Sequence, residues 1–368
     1  MTHMKNIRLF LAAAVLLAAC LFADAKNITV NADDSRIVYV GRTACTDGAV
    51  SFDWSGVTAR VAFTGTRLSV KSSDTHVNYF NVWIDKPAVA KEDFVIKTEG
   101  DQDIEIAKGL KKGAHTVILQ KRTEGEQGTV TFKSFVTDGE FTQAQKVKDR
   151  VIEFIGDSYS CGYGTEAADR SEPFRAAEEN CNLSYDCIIG RYFDADVNLI
   201  CHSGLGLVRN YNENKKYTTM TEKYSQIYDM HSEEAWTPDM ASYKPDIVVI
   251  YLGTNDFSVS RQPSLEVWCS TSVKLLRKIR DFYGEEIPIL CVASDASDVL
   301  GDYVRQAVER CGMSNVAWTS IQKSAHNDTS DLGASWHPNY AGMRKVASCM
   351  IPYISTLTGW EMPFKPVE

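Results

Sequence analysis

From about residue 27 to 145, apolar and polar positions alternate along the chain. The runs Arg60-Val61-Ala62-Phe63, Arg67-Leu68-Ser69-Val70, Tyr79-Phe80-Asn81-Val82-Trp83-Ile84, His115-Thr116-Val117-Ile118-Leu119 and Thr129-Val130-Thr131-Phe132 all carry a period near two. That period sends successive side chains to opposite faces of a strand. Gly, Asp and Asn cluster between the runs, and Thr64-Gly65-Thr66 reads as a hairpin-like turn between the first two. Many short strands so spaced, with no long amphipathic helix among them, predict an all-β, jelly-roll-like sandwich.

The texture changes near residue 146. Val151 to Ile155, Val197 to Cys201, Asp246 to Leu252 and Ile287 to Ala293 are nearly continuous apolar runs. Helical periodicity marks Leu265 to Phe282, Asp302 to Cys311 and Tyr340 to Thr356. Strands apolar on both faces, alternating with helices, predict a three-layer α/β domain around a parallel sheet. The polar and aromatic stretch 208–245 predicts a long loop with short helices over the sheet edge. Two domains in direct contact follow, 27–145 and 146–368.

Residues 1–25 read as a leader outside the fold. Lys5 and Arg8 precede an apolar run from Leu9 to Phe22, and Ala23-Asp24-Ala25 fits a small-x-small cleavage site. Leu17-Ala18-Ala19-Cys20 also fits a lipobox, which would put a lipid anchor on Cys20. Both export routes, soluble and lipid-anchored, stand open. The run is short for a bilayer, and no later segment is apolar enough to span one.

The formal net charge is −9, with no Lys/Arg-rich run. That argues against nucleic acid and against anionic lipid, and suits a neutral polymer such as a polysaccharide. Of ten cysteines, the loss or lipidation of Cys20 leaves an odd nine, so at least one thiol is unpaired. Cys181 and Cys187 lie close enough in sequence to pair, while Cys201, Cys291 and Cys349 read as small core residues. No Cys/His spacing suits zinc, so neither a metal nor a cofactor is expected.

In open α/β sheets ligands bind at the carboxyl ends of strands. The first run is followed by Gly156-Asp157-Ser158-Tyr159, the second by His202-Ser203-Gly204-Leu205-Gly206 and the third by Gly253-Thr254-Asn255-Asp256. Trp336-His337-Pro338 precedes the last helix. This set suits acyl transfer by a serine. Ser158 needs a base to take its proton, and an imidazole such as His337 titrates near neutrality. The oxyanion needs donors already aimed at it: the N–H groups of Ser158 and Gly204 and the side-chain amide of Asn255. The bland roles are as specific. Asp157 holds the turn, Asp256 is structural, His202 is packed and hydrogen-bonded, His326 is solvated, and Cys161 is a buried thiol. Arg209 and Asn210 either brace their loop or touch sugar. Trp236 either belongs to the core or stacks on a pyranose ring.

These blocks, in this order, resemble the SGNH (GDSL) hydrolase superfamily. Phe154-Ile155-Gly156-Asp157-Ser158, Cys161-Gly162-Tyr163-Gly164, Ser203-Gly204, Gly253-Thr254-Asn255-Asp256-Phe257-Ser258 and Trp336-His337-Pro338 are similar in particular to carbohydrate esterase family 2. The resemblance implies a sandwich followed by an SGNH domain, and an esterase removing acetyl groups from xylan, glucomannan or similar sugars. It also implies that Trp336 lines the acyl or sugar site. One departure stands out. SGNH enzymes usually carry an Asp two or three residues before the His, whereas this chain has Ala334 and Ser335, with Asp331 six residues away. A main-chain carbonyl from 334 or 335 is therefore expected to orient His337, giving a Ser158–His337 dyad. Alternatives are an SGNH esterase for other small acyl esters and a non-catalytic carbohydrate-binding relative.

Overall fold

The computed structural model describes residues 27–230, 234–294 and 296–368; the expected leader, with Cys20, lies outside them. The N-terminal strands are β1 (Ile28–Asn31), β2 (Val38–Val40), β3 (Ala44–Thr46), β4 (Ala49–Phe52), β5 (Thr58–Gly65) and β6 (Leu68–Asp74). They continue as β7 (Val77–Ile84), β8 (Phe94–Glu99), β9 (Gln102–Ala107), β10 (Gly113–Lys121), β11 (Val130–Thr137) and β12 (Phe141–Thr142). One antiparallel sheet runs β3-β4-β11-β6-β9 with β1 on β11, the other β12-β5-β10-β7-β8 with β2 on β5. Their inner faces close over Phe52, Phe80 and Phe132, whose ring centroids lie 5.2 to 6.1 Å apart in edge-on and tilted contacts.

Thr64-Gly65-Thr66 is not a hairpin turn. β5 and β6 lie in different sheets, and the three residues form the corner between them. Alternation fixes which face a residue takes, not which strand its own strand pairs with. Here Val61 and Phe63 face Leu68 and Val70 across the core, all buried. The Asp138 carboxylate pins the corner by accepting the N–H groups of Thr66 and Arg67 at 2.7 and 3.2 Å.

The second region is a parallel sheet in the order β14-β13-β15-β16-β17. Its strands are β13 (Val151–Gly156), β14 (Asp196–Cys201), β15 (Ile247–Tyr251), β16 (Ile289–Ala293) and β17 (Val316–Ser320). The helices are α1 (Ser158–Cys161), α2 (Tyr185–Phe193), α3 (Met220–Lys223), α4 (Leu265–Tyr283), α5 (Leu300–Arg310) and α6 (Tyr340–Thr358). Alternate strand residues pack to opposite sides: Ile152 and Phe154 with α2 and α6, Val248 and Ile250 with α4 and α5. The result is the three-layer SGNH hydrolase fold expected from the sequence. β13 has β14 on one side and β15 on the other, so the chain reverses direction across the sheet there. A crevice opens at the carboxyl ends of these strands, and Ser158 stands at that point.

The two regions interlock. Arg60 of β5 pairs with Asp196 of β14, both buried. Arg42 donates to the carbonyls of Tyr224 and Gln226 and lies 4.1 Å from the Trp236 ring centroid. Trp236 is therefore buried core, not a sugar platform. Asp53 accepts the N–H groups of Asp229 and Met230, which fastens the 208–230 loop to the sandwich. Cys181 and Cys187 do not pair. Both are free and buried, and the Cys181 thiol donates to the Lys121 carbonyl at 3.3 Å. Arg60→Ala leaves the Asp196 carboxylate buried without its counter-ion. A loss of about 3–5 kcal/mol is expected, read as a lower urea midpoint.

Candidate active site

β13 ends in Gly156-Asp157-Ser158, where a Cβ on residue 156 would lie 1.9 Å from Ser160 Oγ. Glycine is thus required for the strand to turn into α1. Asp157 caps that turn: its Oδ1 accepts the Tyr159 N–H at 3.2 Å. Ser158 is the first residue of α1. Among the described residues its N–H has no protein acceptor.

His337 arrives from the far end of the chain, on the turn before α6. Its Nε2 lies 2.8 Å from Ser158 Oγ, and its Nδ1 lies 3.1 Å from the Ser335 carbonyl oxygen. A carbonyl only accepts, so Nδ1 carries the proton and Nε2 is left to accept from the serine hydroxyl. The turn that aims this carbonyl is strained. Ser335 and Trp336 both adopt left-handed φ, 52° and 65°, a conformation costly for non-glycine residues. It is held by main-chain bonds: Ala334 N–H to the Gly164 carbonyl, Ser335 N–H to Glu172 and Trp336 N–H to Arg170. Asp331 is turned away, accepting from Lys345 at 2.7 Å. Tyr163 packs on the imidazole at 4.3 Å between centroids. Burial pushes the His337 pKa down to about 4.

Gly204 follows β14 with φ 79°. A Cβ there would meet nothing closer than 3.7 Å, so it is the backbone conformation, not crowding, that calls for glycine. Its N–H has no protein acceptor among the described residues, and the residue lines the same cleft as Ser158 and His337.

A hydroxyl, a neutral imidazole and two free amides in one cleft can carry out acyl transfer. Residues 152–350 match the family model described as GDSL-like Lipase/Acylhydrolase, and residues 39–144 match Carbohydrate esterase 2 N-terminal. The chain belongs to the GDSL-like lipase/acylhydrolase family. It is a carboxylic ester hydrolase with the build of the family 2 carbohydrate esterases. It is 30% identical over 339 residues to Cellulase/esterase CelE of Acetivibrio thermocellus, over 90% of this chain and 41% of that protein. It thus spans less than half of that relative's length. An acetylxylan esterase / glucomannan deacetylase of Cellvibrio japonicus is 27% identical over 344 residues, 90% of this chain and 92% of the relative. The structure of a family two carbohydrate esterase from Clostridium thermocellum in complex with cellohexaose superposes with a TM-score of 0.80 at 29% identity. That match covers 88% of this chain and 100% of the other.

In this esterase the Asn255 amide, expected from the sequence to be aimed at an oxyanion, is engaged within the protein. Nδ2 donates to the Leu205 carbonyl at 2.8 Å and to Asp157 Oδ2 at 3.2 Å. Asp256 holds the 207–209 loop by accepting three N–H groups at 2.7 to 3.0 Å. Arg209 braces that loop, donating to the Asp256 carbonyl at 2.8 Å, and Asn210 is buried beneath it. His202 is buried, with Nδ1 2.6 Å from Asp229. His326 is buried as well, not solvated: its ring packs edge-on to Tyr159 at 6.1 Å.

The cleft is open, with a volume of about 770 Å³. Trp336, 60% exposed, and Tyr211, 54% exposed, stand on its walls. Arg170 lies 4.2 Å from the Trp336 ring centroid. The sequence reading missed Glu126, which reaches the cleft from the N-terminal region. It accepts from Lys216 Nζ at 3.0 Å and the Tyr217 hydroxyl at 2.7 Å. No motif marks it, because its partners are ninety residues away. Among the described residues no helix is long and apolar enough to cross a membrane.

Proposed function

We propose that this esterase removes O-acetyl groups from plant-type polysaccharides such as xylan and glucomannan, with Ser158 and His337 as a catalytic dyad. The observation carrying the reading is the 2.8 Å contact between Ser158 Oγ and His337 Nε2, with Nδ1 on the Ser335 carbonyl. Ser158 Oγ attacks the acetyl carbonyl carbon while His337 Nε2 takes its proton. The oxyanion falls to the N–H groups of Ser158 and Gly204, with Asn255 as a third donor once it turns from Asp157. Collapse expels the sugar oxygen, which takes the imidazolium proton, and leaves an acetyl-enzyme. Water, activated by the same imidazole, then releases acetate and restores the hydroxyl.

Relatives named for acetylxylan and glucomannan, and the wide cleft, support a polymeric substrate. The exposed Trp336 ring, with Arg170 over one face, leaves its other face to stack on a pyranose. Export, soluble or anchored through Cys20, belongs to the same reading, since such polymers do not cross membranes. Acetate release from acetylated xylan and glucomannan tests it, with acetyl and hexanoyl model esters alongside. A steep fall in kcat/KM with acyl length is expected. Equal rates for the two esters would favour a general short-chain esterase, and turnover equal to that of Ser158→Ala would leave only carbohydrate binding.

A further inference from the structure

Glu124 lies three residues after β10, in the N-terminal region, and its side chain is buried in the joint with the hydrolase sheet. One oxygen, Oε2, accepts the Ser203 N–H at 2.6 Å and the Cys161 thiol at 3.5 Å. Ser203 immediately precedes Gly204, and Cys161 closes the short helix that Ser158 opens. Glu124 is itself held. Its N–H donates to Glu179 Oε2 at 3.0 Å, and its carbonyl accepts from the buried Lys121 ammonium at 3.0 Å.

We infer that Glu124 is a positioning residue that sets the spacing between the nucleophile's helix and the Gly204 N–H, so that the β-sandwich completes the oxyanion site. The inference rests on the proposed roles of Ser158 and Gly204. The β13–β14 ladder, ending at Gly156 opposite Cys201, sets the two segments side by side, and the shared acceptor ties them together beyond the ladder's end. The main-chain clamp makes the acceptor rigid, which is what a preorganised donor pair requires. Burial, and then the neighbouring Glu124 charge, raise the Glu179 carboxyl well above the usual range.

The test is steady-state kinetics on an acetyl ester with the full chain. Glu124→Ala is expected to lower kcat about 100-fold, as a displacement of order 1 Å in a catalytic group does, with KM within about 3-fold. Glu124→Gln keeps an acceptor for the Ser203 N–H and is expected to stay within about 5-fold of wild type. Glu124→Met, which fills the space without accepting, should behave like the alanine variant. Full kcat in Glu124→Met, a Glu124→Gln loss as deep as that of alanine, or a loss confined to KM would each overturn the inference. Should the alanine and methionine variants not fold, amide exchange on the wild-type protein decides: a Ser203 amide exchanging as fast as an exposed loop amide sinks it, a protected one supports it. Ser158→Ala separates the two levels. Undiminished acetate release from that variant overturns the dyad itself, whereas an inactive Ser158→Ala beside a fully active Glu124→Ala overturns only the role of Glu124.

Discussion

Exchanging His337 for alanine is expected to lower kcat by about 10⁴-fold or more, with Ser158→Ala falling as far and the double variant no further. Residues acting as one unit behave this way, since removing either partner abolishes the same step. The pH dependence should be unusual for a histidine base. An ordinary imidazole is half protonated near pH 6.5, but burial puts His337 at about 4. The protonated ring cannot accept the Ser158 proton, so wild-type kcat/KM should hold level on the acid side until about pH 5. Below pH 4 it should fall tenfold per unit. In a triad, a carboxylate on Nδ1 would raise the ring and move this limb upward. The Ser335 carbonyl fixes the same tautomer with a dipole, not a full charge. Measuring kcat/KM from pH 3 to 9 checks this. A limb centred at 6.5 or above would mean that a negative charge supports the ring, and the carbonyl account would fail.

The strained Ser335–Trp336 turn is the structural counterpart of that missing acid. Two left-handed residues in succession, each tied by its N–H to the 164–172 segment, bring the carbonyl to Nδ1 of the ring. The sequence analysis anticipated a carbonyl from 334 or 335, because no acid lay at the usual spacing. It had no signal for the turn, since neither residue is a glycine or asparagine. The same limit recurs elsewhere. Long apolar runs revealed β13, β14, β15 and β16, whose side chains are buried on both faces. β17 escaped notice because four of its five residues are half-exposed or exposed, which breaks the run. Helix α2 escaped for the opposite reason: eight of its nine residues are buried, so no polar stripe marks its period. The corner at Thr64-Gly65-Thr66 has the local chemistry of a hairpin, and only the long-range pairing of β5 with β10 and of β6 with β11 decides otherwise. Strand-end motifs were legible because local turns dictate them. Glu124 and Glu126 were not, because Glu126 reaches the cleft, and Glu124 the joint behind it, only after the two regions dock.

Asn255→Ala is expected to lower kcat about 10²- to 10³-fold, the usual cost of an oxyanion donor, by an amount that depends on pH. At rest the amide is divided between the Leu205 carbonyl and Asp157 Oδ2, and the second bond is the longer by 0.4 Å (3.2 against 2.8 Å). That hydrogen is the one available to turn toward a developing oxyanion. Its release depends on the charge of Asp157. Burial pushes that carboxyl up to about 7, opposed by the Tyr159 N–H and assisted by the Asp256 charge. Below pH 7 Asp157 is neutral and a weaker acceptor, so the amide turns readily. Above pH 7 the ionised carboxylate grips the amide through a charge-assisted bond, and the oxyanion loses a donor. Wild-type kcat should therefore decline between pH 6 and 8.5, while Asn255→Ala, with no amide to withhold, should be flat over that range. The ratio of the two is then largest on the acid side. A purely structural amide, serving only to hold the Leu205 carbonyl, would instead lower the melting temperature and reduce kcat by the same factor at every pH.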